Sequence, residues 1–240
     1  MLHVSIAPDI IFHIAGFPIS NTFLTSVIFL ILSVIVMVYF QLKKNDRSSS
    51  LVFFIHYCMN GLHNLFSPIL KEKTVMFFPF LSALFIFVLF SNWLGLLPGV
   101  GSITIEQGAR SVPLLKAATA DLNTTLSLAI IVFLVIQGAG IYSLGVSGYL
   151  SKFISFKGPI AFFTGILETI SEFSKIISFA FRLFGNIFAG EVLLVVIAFL
   201  VPILAPFPFL LLEVFVGFIQ ALVFAMLTAV FINLAVTPHH

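Results

Sequence analysis

The sequence predicts an all-α integral membrane protein with about five membrane-embedded helices plus one interfacial helix, the last two long, strongly tilted and joined as a hairpin. Composition is the first ground: of 240 residues, 60% are hydrophobic and 8% charged, against roughly 25% charged in a soluble domain. With a mean hydropathy of +1.22, the chain lacks the polar side chains to cover a water-facing surface. Span length is the second. Charge-free stretches at 14–42, 74–105, 122–151, 192–212 and 214–238 each reach the roughly 20 residues that cross hydrocarbon as helix. The third is that the short alternating strands of a closed barrel, the other spanning solution, are absent from the pattern.

The whole chain, 1–240, reads as one membrane domain without repeats or low-complexity tracts. Residues 1–20 form an external N-terminal lead. They carry no basic segment and no small-residue cleavage site, so no removed signal is expected. A spanning helix over 21–41 follows, closed by the polar cluster after Lys43. Residues 48–70 mix His56, Asn60, His63 and Asn64 with Phe53, Phe54, Leu62 and Phe66, a composition suited to a helix lying at the membrane surface. Residues 77–97 span again. Trp93 belongs there to the interfacial belt, and Pro98-Gly99 stops the helix. An outer loop with Glu106 and Arg110 leads to a run of cap-forming residues, Asp121 to Thr125, that starts a third span over 121–144. Gly138, Gly140, Gly145 and Gly148 loosen its end.

Beyond Gly158-Pro159 no proline occurs until Pro202. The pattern allows one helix over 160–201, ~60 Å long at 1.5 Å per residue and twice what a perpendicular span needs. Pro202, Pro206 and Pro208 force a reversal, and 209–236 returns as another long helix. Gly217, Ala221, Ala225 and Ala229 form a small-residue row on it that permits close helix approach. If the spans alternate, Lys43, Lys44, Arg47, Lys71, Lys73, Lys152 and Lys157 share one side, against Arg110 and Lys116 on the other. The positive-inside rule then puts the N-terminus outside.

The 160–201 segment carries the chemistry. At ~100° per residue, with Glu168 as zero, Glu172 falls near +40°, Lys175 near −20°, Arg182 near −40° and Asn186 near 0°, a single polar stripe. Glu191 lies near +140° and ~13 Å beyond Arg182 along the axis. In the returning helix Glu213 and Gln220 share a face, and Gln220 is the polar neighbour of the Arg182 region across the hairpin. Ionised groups at bilayer depth cost several kcal/mol unless paired or wetted, which marks the stripe as functional. Arginine is the sharpest case, because its delocalised guanidinium does not shed its charge in proteins. Arg182 must face water, a counter-charge or a moving carboxylate.

The block Phe181-Arg182-Leu183-Phe184-Gly185-Asn186-Ile187-Phe188-Ala189-Gly190-Glu191, preceded by Ser171-Glu172-Phe173-Ser174-Lys175, resembles the signature of F-type ATP synthase subunit a. Asn92 to Pro98, Asp121 to Thr125 and Gln220-Ala221 follow in family order. The resemblance implies a stator working against a ring of c subunits, with peripheral-stalk b subunits as further partners. Arg182 would match the arginine that separates two aqueous half-channels and holds a passing carboxylate ionised. Asn186 and Gln220 would match its polar neighbours, Glu191 the titratable group of the outer half-channel, and Glu213 a position where relatives carry His or an acid. Glu168, Glu172, Lys175, Asp121 and Asn123 are candidate half-channel or boundary residues. A bacterial plasma membrane fits Glu191 best; mitochondrial and plastid membranes fit the family as well.

Plainer readings stand beside these. Arg182 could form an ion pair with Glu172 or Glu168, although helical spacing places both acids better for Lys175. Glu168, Glu172 and Lys175 could simply pair at the cytoplasmic boundary. Glu191 and Glu213 could be protonated spectators, and Asn186 and Gln220 interhelical glue. His56 and His63 show no third metal ligand, His239 and His240 end the chain, and Cys58, the sole cysteine, reads as a small apolar residue. The sequence predicts no cofactor, no metal, no nucleic-acid partner and no catalytic site of its own. The alternative, a secondary transporter binding an anionic substrate through Arg182, expects inverted repeats and broken helices near that residue. An intramembrane hydrolase would need a nucleophile-base pair or a metal motif.

Overall fold

The computed structural model describes residues 8–14, 16–43, 50–97, 103–107, 110–153, 158–201 and 205–237. Lys44, Arg47, Pro98, Gly99, Lys157, Pro202, His239 and His240 lie outside the described residues. The chain runs β1 (Ile10–Ile14), β2 (Phe17–Ser20), α1 (Asn21–Lys43), α2 (Ser50–Leu70), α3 (Thr74–Leu94), β3 (Thr104–Gln107), β4 (Arg110–Pro113), α4 (Leu122–Leu150), α5 (Pro159–Leu200) and α6 (Pro206–Val236). Five helical segments are long and apolar enough to cross a membrane. The protein is an integral, multi-pass, helical membrane protein.

Two short antiparallel hairpins, β1 with β2 and β3 with β4, were not expected. They replace the featureless lead and part of the outer loop predicted there. Strands this short carry little periodic signal, and their backbone groups pair across a turn.

Local chemistry sets the helix starts. Ser20 Oγ accepts the Phe23 N–H at 3.2 Å ahead of α1, and Asp121 Oδ1 accepts the Asn123 N–H at 2.9 Å ahead of α4, both satisfying donors that a helix N-terminus leaves orphaned. A 3-10 turn at Lys71–Lys73 joins α2 to α3, with Lys71 in the left-handed region at φ 51°. In α4, Gly145 takes φ 74°, ψ 159°, a conformation glycine adopts without penalty. The chain bends sharply there and stays helical to Leu150, beyond the predicted end at 144. Pro159 opens α5, where its missing N–H leaves no bond unmade, and α5 then runs unbroken for 42 residues.

Contacts at the two ends of the bundle fix the directions. At one end Thr22 Oγ1 donates to Asp121 Oδ2 (3.0 Å), Thr119 Oγ1 to Asn92 Oδ1 (2.8 Å) and Asn92 Nδ2 to the Gly217 carbonyl (3.0 Å). At the other, Lys73 Nζ reaches Ser143 Oγ at 3.2 Å and the Val236 carbonyl at 3.3 Å. The spanning helices therefore alternate in direction, and Lys73 sits at the end where α1 and α4 finish and α5 begins. The α2 helix begins beside the last turn of α1, where Phe40 meets His56, and finishes at Lys71–Lys73 of that same end.

The core is built from α2, α3, α4, α5 and α6. Leu62, Phe66 and Leu70, four residues apart, give α2 its buried edge. The row Gly217, Ala221, Ala225 and Ala229 is buried in α6. At Gly217 a side chain would come within 3.2 Å of Asn92 Cβ, so the row admits α3 to close approach. In contrast, α1 buries only Asn21, Thr22 and Thr25. Among the described residues most of its remaining apolar surface is exposed, although Phe29 packs on Phe87 and Phe90 of α3.

Candidate functional site

The polar residues of α5 fall into separate neighbourhoods along its length. Near the N-terminal half, Glu172 is buried. Its Oε1 meets Lys175 Nζ at 2.6 Å and Lys152 Nζ at 3.9 Å, and its Oε2 accepts from Gln137 Nε2 at 3.1 Å. Lys152 also pairs with Glu168 at 2.8 Å, and Tyr149 Oη donates to Gln137 Oε1 at 2.8 Å. The Lys175 ammonium sits 4.7 Å from the Phe231 ring centre, a favourable cation–π distance. The expected pairing of Glu172 with Lys175 is present. What the helical wheel omitted is the contribution of Gln137 and Tyr149 of α4 and of Lys152 in the turn that follows it. Gln137 carried a signal, being a lone amide deep in an apolar span, where an unpaired polar group is costly.

Two turns further, Arg182 is exposed and its Nη2 donates to Ser178 Oγ at 3.1 Å. No carboxylate among the described residues lies within ion-pair distance of it, so the predicted alternative of a buried pair with Glu172 or Glu168 is not what the fold builds. Arg182 instead borders an open groove of about 320 Å³ between α5 and α6, lined by Ser171, Ser174, Lys175, Ser178, Phe179, Leu227 and Phe231. The serine hydroxyls share this wall because they recur at three- and four-residue intervals. Sequence reasoning did not single them out.

One turn past Arg182, Asn186 Nδ2 donates to Gln220 Oε1 at 2.9 Å. This bridges the hairpin where the sequence placed those two residues. Gln220 is buried, and its Nε2 has no partner among the described residues. Glu213, buried in α6, lies with its carboxyl directly against Gly190, where any Cβ would overlap it. Glu191, the residue after Gly190, is partly buried. Asn92 and Trp93 of α3 hold the neighbouring turn of α6: Asn92 through the Gly217 carbonyl, and Trp93 Nε1 through the Val214 carbonyl at 3.0 Å. An indole read from sequence as an interfacial anchor is thus also an interhelical clamp.

Asp121 caps α4, as the run of cap-forming residues predicts. Both carboxyl oxygens are engaged, one on the Asn123 N–H and one on the Thr22 hydroxyl, and the residue is 5% exposed. Its contacts tie α4 to α1. Asn123 is exposed on the first turn of α4. Among the described residues no group of three metal-binding side chains occurs.

The sequence pattern of the ATP synthase A chain family matches residues 22–233, nearly the whole chain. The chain belongs to that family. The ATP synthase subunit a proteins of the chloroplasts of Oedogonium cardiacum and Stigeoclonium helveticum are each 40% identical over 170 residues, 71% of this chain. The match covers 64% and 65% of those relatives, just under two thirds of their length. In this chain α5 is continuous through Arg182, whereas the transporter alternative called for a helix broken near that residue.

Proposed function

We propose that this chain is the proton-translocating stator subunit a of a rotary F-type ATP synthase. It offers two half-channels to a ring of c subunits, with Arg182 as the barrier between them. The observation that carries the reading is Arg182 itself: a permanently charged guanidinium midway along an apolar helix, exposed, paired with no described carboxylate, and bordering a groove with three serines on its wall. In hydrocarbon such a group is tolerable only where something outside this chain brings water or negative charge to it.

The axial order of groups supplies the rest. On the Lys73 side of Arg182 lies the groove with Ser171, Ser174 and Ser178, an inner half-channel able to hold water against hydroxyls. On the other side lie Glu191 and Glu213, an outer half-channel. A carboxylate on each c subunit takes a proton from the outer acids, travels round through lipid as the neutral acid, and returns to the inner groove. There the Arg182 charge favours its ionised form, so the proton leaves. The same fixed charge repels a proton trying to pass straight through. Asn186 and Gln220 hold the hairpin beside Arg182, and Glu168, Glu172 and Lys175 form the inner boundary.

Proton flow drives rotation, and the chemistry of ATP synthesis belongs to other subunits; peripheral-stalk b subunits are the other protein partners. The N-terminus lies outside, since Lys43, Lys71, Lys73 and Lys152 mark the inner end. The deciding experiment is ATP-driven proton pumping in vesicles carrying the complex with Arg182→Ala or Arg182→Lys. Both should abolish coupled pumping, because a bare side chain removes the barrier and an ammonium lacks the bidentate fork. Normal pumping by either variant ends the proposal.

A further inference from the structure

The bend in α4 brings together residues that a straight helix would separate. Gln137 and Tyr149 are twelve positions apart, about 18 Å along a continuous helix, yet they share a 2.8 Å hydrogen bond. Gly145 makes the reversal at φ 74°, and Gly140 leaves the space that the Tyr149 ring fills, since any Cβ there would overlap it. The same bend delivers Lys152 to Glu168 and Glu172.

The resulting cluster is charge-balanced: the ammonium groups of Lys152 and Lys175 face the carboxylates of Glu168 and Glu172. Gln137 orients it, taking the Tyr149 hydroxyl on its carbonyl and presenting its amide to Glu172. Lys175 also lines the groove that Arg182 borders. Without a counter-charge its ammonium would add a second positive charge to that wall and raise the energy of a proton leaving past it. Glu172 supplies the counter-charge, and α4 holds Glu172 in place.

We propose that Gln137, Tyr149 and Lys152 are positioning residues for the proton path: through Glu168 and Glu172 they keep Lys175 neutralised at the groove and fix the rotation of α5 that turns Arg182 toward it. This rests on the reading of the chain as the proton-translocating stator. Lys152 anchors both acids by charge, and Tyr149 orients the Gln137 amide that binds Glu172.

The test is ATP-driven proton pumping in vesicles carrying the whole complex, normalised to assembled subunit, for Lys152→Met, Lys152→Arg, Tyr149→Phe and the exchange Lys152→Glu with Glu168→Lys. Lys152→Met should slow pumping about fivefold, the scale of one partner lost from a partly exposed charge cluster, and Lys152→Arg should restore most of the rate. Tyr149→Phe should slow it about threefold, the scale of one lost hydrogen bond. The exchange should outpace Lys152→Glu alone, which a purely steric role would not produce. Full-rate pumping by Lys152→Met, or equal slowing by Met and Arg, overturns the proposal. If Lys152→Met does not assemble, Tyr149→Phe decides: slowed pumping supports the proposal and an unchanged rate overturns it. Arg182→Ala, measured alongside, separates the two levels. If it pumps normally the stator reading falls, whereas an inactive Arg182→Ala beside a normal Lys152→Met removes this inference alone.

Discussion

The carboxyl group of Glu213 in α6 rests directly on the backbone of Gly190 in α5, in the volume a Cβ would occupy. The closeness of the two long helices at this level therefore depends on a missing side chain, and the buried acid is held beside the turn that carries Glu191. Gly190→Ala should overpack the contact by about 2 kcal/mol and lower the amount of assembled subunit. Pairing it with Glu213→Ala should recover assembly without recovering pumping. Quantitative immunoblots of membranes alongside pumping assays check this; full assembly of Gly190→Ala alone would show that the contact yields freely.

Asn186 and Gln220 join the hairpin by a direct amide bond, so their effects should not add. Asn186→Ala and Gln220→Ala should each slow pumping, and the double variant should be no slower than the worse single by more than about twofold, as expected for one shared interaction. A double-mutant cycle on pumping rates measures it, and strict additivity would mean the bond has no functional weight.

Glu191 should matter as a titratable group. Glu191→Gln removes the proton site while keeping the shape, and it should slow passive proton conduction through the membrane sector about tenfold or more, on the scale of a lost proton-transfer group. Glu191→Asp should lie between. An unchanged rate in Glu191→Gln takes this residue out of the path.

Asp121 should behave as a structural residue. Asp121→Ala loses the α4 cap and the Thr22 bond, which together should cost about 2 kcal/mol and lower the thermal inactivation temperature of the complex. Asp121→Asn keeps an acceptor for the Asn123 N–H and should lose less. If Asp121→Asn instead slows conduction with unchanged thermal stability, the residue belongs to the outer path.

Membrane sidedness can be read with single cysteines, because Cys58 is the chain's only one. In a Cys58→Ser background, Glu106→Cys should react with a membrane-impermeant maleimide added from outside. Lys71→Cys should react only after the membrane is opened. The reverse pattern would invert the orientation.

Much of this protein is written in one dimension. Transfer free energy alone identifies the spans, because each needs only enough consecutive apolar residues. The proline-free run up to Pro202 determined that α5 is long, and the chemistry of arginine determined that residue 182 stays charged. Helical spacing placed Glu172 beside Lys175, and put Gln220 across the hairpin from the Arg182 region. The tertiary structure decided what depends on residues far apart in sequence. The reversal at Gly145 brings Lys152 to Glu168 and Glu172 of α5 and folds Tyr149 back onto Gln137, the bare backbone of Gly190 admits Glu213, and Asp121 is tied to Thr22 of α1. These contacts follow from one glycine dihedral and the way helices cross, and neither periodicity nor composition encodes how two helices meet.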